Sequence, residues 1–243
     1  MKGSLLLPTT EDDTGDRIKD LLGEGSITAD TKLVLTNAVY FNASWSTPFK
    51  PEATKTEGFT RADGTQVMVP TMHSEQMLSY AKGAGYEMVE VRYAGEQLSM
   101  TRIMPTAGTM EAFESALTAD GLQKMLDGAQ PYDVNLSMPK FHIESSFDLA
   151  DTLIKLGMTD AFTGAADFSG ISKQSYISAV LHKAFVDVDE NGTEAAAATA
   201  VVLGDGGIPD HADMKLDHPF LVMIRDQPTG SILFFGRVAE PQG

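Results

Sequence analysis

The sequence predicts an α+β (mixed α/β) fold in which large, mainly antiparallel sheets are combined with a few helices. Runs of apolar and β-branched residues, separated by glycine-containing turns, recur along the chain and are typical of strands. Two segments instead place their apolar residues at helical intervals. With 243 residues, of which 42% are hydrophobic, the chain can bury a sizeable core.

The first half of the chain supplies strands and then helices. Residues 31–45 hold a run of apolar and β-branched side chains, which predicts a strand buried on both faces in the middle of a large sheet. Residues 65–73 and 77–105 predict several shorter strands. Residues 107–126 carry apolar side chains at roughly helical spacing and predict two short helices.

The second half of the chain predicts mainly strands. Residues 134–149 alternate and predict a long strand interrupted by a proline, whereas residues 149–162 predict an amphipathic helix ending at Gly157. Another long strand is predicted over residues 176–192. Two apolar strands within residues 218–238 are joined by a turn with the sequence DQPTG.

The stretch ENGTEAAAATAVVLGDGG, residues 190–207, fits neither the helix pattern nor the strand pattern. Its alanines favour a helix, but glycines bound the segment, and a helix this short is marginal without an apolar face. As a strand it offers only small side chains on both faces. Such a segment can stay loose at the surface or slide between two existing strands without a steric penalty. The residues alone permit either state.

Composition and motifs argue against several classes of partner and activity. A net charge of −16 argues against a nucleic-acid or anionic-membrane partner, and the absence of cysteine excludes disulfides and thiolate chemistry. The sequence has no hydrolase, metalloprotease or phosphate-loop motif, so we expect no cofactor, no metal and no catalytic activity of its own. Residues 187–192 resemble the first half of a calcium loop, but its twelfth position is Ala198 instead of glutamate.

Three segments carry a resemblance to a known family. NAVYFNASW, LHKAFVDVDENGTEAAAATAVV and DHPFLVMIRDQPTGSILFFGRV, in this order and at these separations, resemble a serpin (serine protease inhibitor) of the prokaryotic type. MPKFHIESSFDL and LGMTDAFTGAADFSGIS fit the same family. The resemblance covers nearly everything from Asp13 onward. Residues 13–243 are therefore expected to form a serpin domain, and residues 1–12 are left as an unassigned or disordered start.

The resemblance implies a role for residues 190–207 within a reactive loop of about residues 190–213. In inhibitory serpins a target serine protease cleaves this loop and forms an acyl-enzyme. The freed loop then inserts as an extra strand into the large sheet and traps the protease, so the inhibitor is a metastable suicide substrate. The hinge of the loop would comprise Glu190, Gly192, Thr193, Glu194, Ala195, Ala196, Ala197 and Ala198.

The resemblance also assigns residues that control the sheet. Asn37 and His182 match a polar pair that bridges its centre, and Trp45 matches a tryptophan under its top; together they would form a sheet switch. Lys140 either supports the point of loop insertion or is a surface lysine that snorkels to solvent.

The scissile bond follows from counting along the loop. In the family the reactive residue lies about sixteen positions after the glutamate of the hinge, which gives the bond between Gly206 and Gly207. Leu203 better suits an apolar specificity pocket, so an elastase-like or chymotrypsin-like protease is favoured as partner. The candidates are Leu203, Gly204, Asp205, Gly206 and Gly207.

Three broader expectations follow from the resemblance. The chain would lack the N-terminal third of the domain, and the exposed sheet surface would favour self-association. Its location would be extracellular, although residues 1–16 do not resemble a signal peptide. The alternative to an inhibitor is a non-inhibitory serpin-like binding protein or an inactive serpin fragment.

Overall fold

The structure is a computed structural model that describes residues 17–18, 22, 27–28, 30–172, 175–193 and 210–241. The chain divides into two compact units. The first unit consists of Met1–Phe41 and Ile143–Val186, and the second unit consists of Asn42–His142 and Asp187–Gly243.

The strands, in chain order, are β1 (Leu33–Tyr40), β2 (Ala43–Ser44), β3 (Lys55–Thr60), β4 (Gln66–Gly83), β5 (Tyr86–Arg92), β6 (Leu98–Pro105), β7 (Gln130–Pro139), β8 (Phe141–Asp148), β9 (Ile177–Val188), β10 (Gly192–Thr193), β11 (His211–Lys215), β12 (Phe220–Asp226) and β13 (Ile232–Val238). The α-helices are α1 (Met110–Ala116), α2 (Ala119–Asp127) and α3 (Ala150–Lys155). None of the described helices combines the length and the apolar character that a membrane crossing requires.

An eight-stranded sheet forms the centre of the second unit. Its strand order is β11-β7-β4-β5-β6-β12-β13, and β3 pairs with the first part of β4. All of these pairs are antiparallel except that of β11 with β7. The prediction of shorter strands was wrong for β4, which runs unbroken for 18 residues. Its polar middle, residues 73–76, stays in the strand because it pairs with β7.

Helices α1 and α2 cover one face of this sheet, as the predicted pair of short helices. The Thr109 side chain accepts a hydrogen bond from Ala112 N at the start of α1, and Thr118 caps α2 in the same way. Met110 is buried in a core cluster with Met88 and Ile103 of the sheet. These helices begin where a threonine can satisfy their first backbone N–H groups.

The first unit holds a parallel pair of strands. β1 pairs with β9 in parallel, and β8 pairs with β9 as well. The prediction that β1 is buried on both faces within a large sheet was wrong for the described residues. There β1 pairs with β9 alone, none of its residues is fully buried, and Leu35 is 42% exposed. A strand is buried on both faces only where further layers cover it, and burial cannot be deduced from its own apolar residues.

Helix α3 also differs slightly from its prediction. It ends at Lys155, two residues before Gly157, which adopts a positive φ of 102°. Gly157 therefore lies just past the helix, where the left-handed conformation that favours glycine commonly terminates helices.

Candidate functional site

The chain reverses direction between β9 and β10, where the predicted loop begins. We call residues 189–193 the loop root. The Asp189 carboxylate accepts hydrogen bonds from Asn191 N (2.7 Å) and Gly192 N (3.2 Å). Asp189 N in turn donates to Gly192 O at 3.0 Å. The calcium-like residues thus build a tight turn, and the described residues contain no group of acidic or histidine side chains able to hold a metal.

The two residues of β10 already occupy a position between strands. Thr193 pairs with Val188, the last residue of β9, and with Ala43 of β2, and Gly192 pairs with Ser44. Both pairings are antiparallel, and Gly192 and Thr193 are buried. A Cβ atom on Gly192 would lie 2.2 Å from Ala43 O, so only glycine permits this close approach.

Trp45 holds the loop root through two hydrogen bonds and a stacked tyrosine. Its backbone N–H donates to Asn191 O and its indole Nε1 donates to Asp189 O, both at 2.9 Å. The indole stacks on Tyr93 with ring centroids 4.6 Å apart, and the Tyr93 hydroxyl lies 2.7 Å from Thr193 Oγ1. Burial raises the pKa of Tyr93, so its hydroxyl keeps its proton at neutral pH. Trp45, Tyr93 and Thr193 are all fully buried.

Glu190 ties the loop root to two other segments. Its carboxylate is 2.6 Å from Lys140 Nζ and accepts a 2.6 Å hydrogen bond from Thr54 Oγ1, while its carbonyl accepts from Phe49 N. Burial raises the pKa of Glu190, but the bonds from Lys140 and Thr54 outweigh it and hold the pKa below its usual range. Lys140 therefore contacts the loop root directly, and its ammonium group is paired.

In the first unit, Asn37 and His182 face each other across β1 and β9. They occupy paired positions of the two strands, and Asn37 Nδ2 lies 3.3 Å from His182 Nδ1. This polar contact links the side chains of the two parallel strands.

The predicted site residues are only partly within the described chain. Glu190, Gly192, Thr193, Asn37, His182 and Trp45 are described, and all six make the contacts given above. The hinge residues Glu194, Ala195, Ala196, Ala197 and Ala198 and the scissile-bond candidates Leu203, Gly204, Asp205, Gly206 and Gly207 lie outside the described residues.

The residues that sequence reasoning missed are those that contact the loop root from elsewhere in the chain. Thr54 and Tyr93 are 136 and 100 residues from their partners Glu190 and Thr193. Neither lies in a recognisable motif, so no local signal in the sequence could have found them.

A second polar cluster on the large sheet has a superficial likeness to a hydrolase triad. Ser137 Oγ is 3.1 Å from His73 Nδ1, and His73 Nε2 is 3.0 Å from Glu57 Oε1 but makes no hydrogen bond. Ser137 lies in β7, which is paired on both sides by β4 and β11. Because a central strand has its backbone N–H groups engaged, it cannot supply oxyanion donors. We assign no catalytic role to this cluster.

Comparison with known proteins places this geometry in a family. The family model named Serpin (serine protease inhibitor) matches residues 9–241. The chain belongs to the serpin family. An uncharacterized serpin-like protein from Methanosarcina acetivorans is 39% identical over 236 residues, which cover 96% of this chain and 55% of that protein. Human Serpin B3 is 40% identical over 239 residues, or 95% of this chain and 61% of Serpin B3.

Solved serpin structures share the fold. The crystal structure of a thermophilic serpin, tengpin, in the native state has a TM-score of 0.82 and 33% identity to this chain. The match covers 95% of this serpin and 61% of tengpin. The chain thus spans somewhat more than half the length of the relatives that it matches.

Proposed function

We propose that this serpin inhibits serine endopeptidases as a suicide substrate and has no catalytic activity of its own. The target cleaves the loop that follows Thr193 and forms an acyl-enzyme, and the loop inserts between β1 and β9 before the ester is hydrolysed. The observation that carries this proposal is the pairing of β10 with its two neighbouring strands. Gly192 and Thr193 already run antiparallel to the end of β9 and to β2, as the first two residues of an inserted strand would.

The strand register supports insertion. Asn37 and His182, which pair across β1 and β9, are 145 residues apart. Val188 and Ala43, the two partners of Thr193, are separated by the same number of residues. A strand that extends β10 therefore meets both neighbours in their existing register. If an inserted strand kept this register, Thr199 would lie opposite both Asn37 and His182, and their direct hydrogen bond would have to break to admit it.

The residues after Thr193 suit this path. The side chain of Thr193 contacts Tyr93. In an inserted strand every second residue beyond Thr193 would therefore face the same side, and Glu194 would face the other. The residues that would face inward in an inserted strand are Ala195, Ala197, Thr199 and Val201. They carry no charge, proline or bulky ring that would obstruct burial in a sheet.

The target and the cleavage site complete the proposal. We place the scissile bond within residues 203–207, at Gly206 by family counting or at Leu203 by side-chain chemistry. Leu203 favours an elastase-like or chymotrypsin-like target with an apolar pocket. Such proteases act largely outside cells, which fits the extracellular location proposed for this serpin.

A protease panel tests the function. The chain is incubated with elastase, chymotrypsin and trypsin, and the products are separated on denaturing gels. We expect a detergent-stable covalent complex with an elastase-like or chymotrypsin-like enzyme, and a released C-terminal peptide beginning within residues 204–208. Cleavage without any complex would contradict inhibition and favour the alternative, a non-inhibitory binding protein or an inactive serpin fragment.

We further propose that the chain associates with itself through β13. Among the described residues β13 pairs only with β12, and it exposes about half of each of Ile232, Leu233 and Phe235. Exposed apolar side chains grouped on one strand form a surface suited to association between chains. Sedimentation velocity should show oligomers that Phe235→Lys reduces. Leu156→Lys, at an exposed position in the first unit, should leave them unchanged.

A further inference from the structure

Arg102 is the most unusual buried residue of the second unit. It lies in β6 with no exposed surface, and its strand partners in β5 and β12 are Val89 and Val222. Its Nη1 donates to Met100 O at 3.2 Å. Its Nε and Nη2 have no hydrogen-bond partner in the part of the chain that the structure describes. Burying guanidinium N–H groups without acceptors costs several kcal/mol.

Arg225 shows that this sheet can pair an arginine. Arg225 Nη2 lies 2.9 Å from Glu90 Oε2, and the carboxylate also receives the Gln227 amide. No carboxylate of the described residues pairs with Arg102. Burial lowers the pKa of Arg102 to about 10, so the side chain still carries its charge at neutral pH.

The buried charge lies against the residues that hold the loop root. The Arg102 Cζ atom is 5.0 Å from the centroid of the Trp45 ring. Trp45 stacks on Tyr93, whose hydroxyl contacts Thr193. A continuous series of four fully buried side chains therefore connects the unpaired guanidinium to the first residue that would lead the loop into the sheet.

The cation–π contact between Arg102 and Trp45 does not offset the cost of the missing acceptors. A cation–π contact contributes roughly 0.5–2 kcal/mol, which is less than the several kcal/mol that the missing acceptors cost. Any movement of Trp45 or Thr193 that admits water gives Nε and Nη2 acceptors and removes this penalty. The missing acceptors therefore make the closed arrangement less stable than it would be with an uncharged side chain at position 102.

We propose that Arg102 is a positioning residue that promotes opening of the loop root. Two of its three guanidinium nitrogens lack acceptors among the described residues, which weakens the closed arrangement of β10, so Arg102 sets how readily β10 separates from Trp45 and Tyr93. The opening itself is independent of any protease. Only the step from opening to trapping rests on the proposed inhibitory function.

Hydrogen exchange of the intact chain tests the proposal. Arg102→Met keeps most of the side-chain volume and removes the charge. We expect the backbone amides of Trp45 and Thr193 to exchange about tenfold more slowly than in the wild type. Acrylamide quenching of Trp45, the only tryptophan of the chain, should fall in parallel.

Two further variants test whether the buried, incompletely paired cation at position 102, and not its planar contact with Trp45 or the loss of any arginine from this sheet, controls exchange at the loop root. Arg102→Lys keeps a buried cation but loses the planar contact, so exchange at the loop root should stay within about threefold of the wild type. Arg225→Met removes a paired arginine and should not slow exchange at the loop root. Failure of Arg102→Met to fold, unchanged or faster exchange in that variant, or equal slowing in Arg102→Lys would each overturn the proposal.

The experiments distinguish failure of the Arg102 proposal from failure of the proposed inhibitory function. Slower exchange in Arg102→Met together with no protease complex in the wild type would support the role of Arg102 and contradict inhibition. If the wild type does form complexes, Arg102→Met should give severalfold more cleaved product per complex, because slower opening leaves more time for hydrolysis of the acyl-enzyme.

Discussion

At the scale of single residues, the contact between Lys140 and Glu190 decides between two interpretations that the sequence leaves open. A lysine that follows a proline at the end of a strand is compatible with a solvated side chain. The structure instead places its ammonium 2.6 Å from a carboxylate that is 8% exposed. Pairing of this kind depends on a residue 50 positions away, so local sequence cannot reveal it.

The first prediction concerns this ion pair. Glu190→Gln keeps the side-chain size but removes the charge that Lys140 faces. We expect it to lower the free energy of unfolding by about 1–2 kcal/mol, measured by urea denaturation at pH 7. Glu111→Gln is the control, because Glu111 is 63% exposed and lies 3.7 Å from Arg237. It should cost less than about 0.5 kcal/mol, and an equal effect of the two variants would contradict the prediction.

The same pair predicts a pH dependence. The pKa of Glu190 in the folded chain is lowered from its ordinary value of 4.5. Its contribution to stability is therefore complete above pH 4.5 and is lost as the pH falls through the lower folded-state value. The stability difference between wild type and Glu190→Gln should shrink over that range. A difference that stays constant down to pH 2 would show that the charge of Glu190 is not responsible.

At the scale of elements, β10 explains why the loop root has its particular composition. Two residues are too few for a stable strand on their own. Their position depends on Trp45 and Tyr93, which lie behind them, and on the turn held by Asp189. Small residues are required because neighbouring backbone leaves no space, as at Gly192.

A methyl group at Gly192 tests this close approach. Gly192→Ala would bring Cβ to 2.2 Å from Ala43 O, so β10 must move away from β2. We expect the amide of Thr193 to exchange at least about tenfold faster than in the wild type. Gly164→Ala is the control, since a Cβ there meets nothing within 4 Å. Wild-type exchange in Gly192→Ala would show that β10 tolerates a side chain.

A charge at Thr193 tests insertion. Thr193→Arg would place a guanidinium where the wild-type side chain is completely buried, at a cost of several kcal/mol. Insertion should then be slower than deacylation, and the ratio of covalent complex to cleaved product on denaturing gels should fall at least severalfold. Thr106→Arg, at an exposed turn, should leave the ratio unchanged. An unaltered ratio in Thr193→Arg would contradict loop insertion.

The elements themselves were predictable to different degrees. The paired helices α1 and α2 and the strands β12 and β13 follow from periodicity, because side-chain direction depends on local backbone geometry. The continuity of β4 does not, since its polar middle is kept in the strand by pairing with β7. The exposure of β1 also escaped prediction, because burial depends on what the rest of the chain provides.

At the scale of the whole molecule, the proposed mechanism requires that the intact chain is not its most stable form. In the first unit β1 and β9 pair directly, and the proposed insertion would replace this pairing with two new ones. The small hinge residues are a prediction from family resemblance. The aromatic and ionic contacts that hold the hinge could not be predicted from sequence, because they unite segments that are distant in the chain. Stability before and after cleavage therefore depends on the chain as a whole.

Cleavage of the loop should stabilise the molecule. An inserted strand would form hydrogen bonds with both β1 and β9 and bury its inward side chains, whereas the intact chain has only the direct pairing. A net gain of about 4 kcal/mol would raise Tm by roughly 8–16 °C in a chain of this size. The measurement is calorimetry before and after limited proteolysis within residues 203–207, with the two fragments kept together. Thr193→Arg, cleaved in the same way, provides the matched control and should gain much less. If the wild type gains nothing on cleavage, the loop does not insert, and the chain is better explained as a protease substrate or a binding protein.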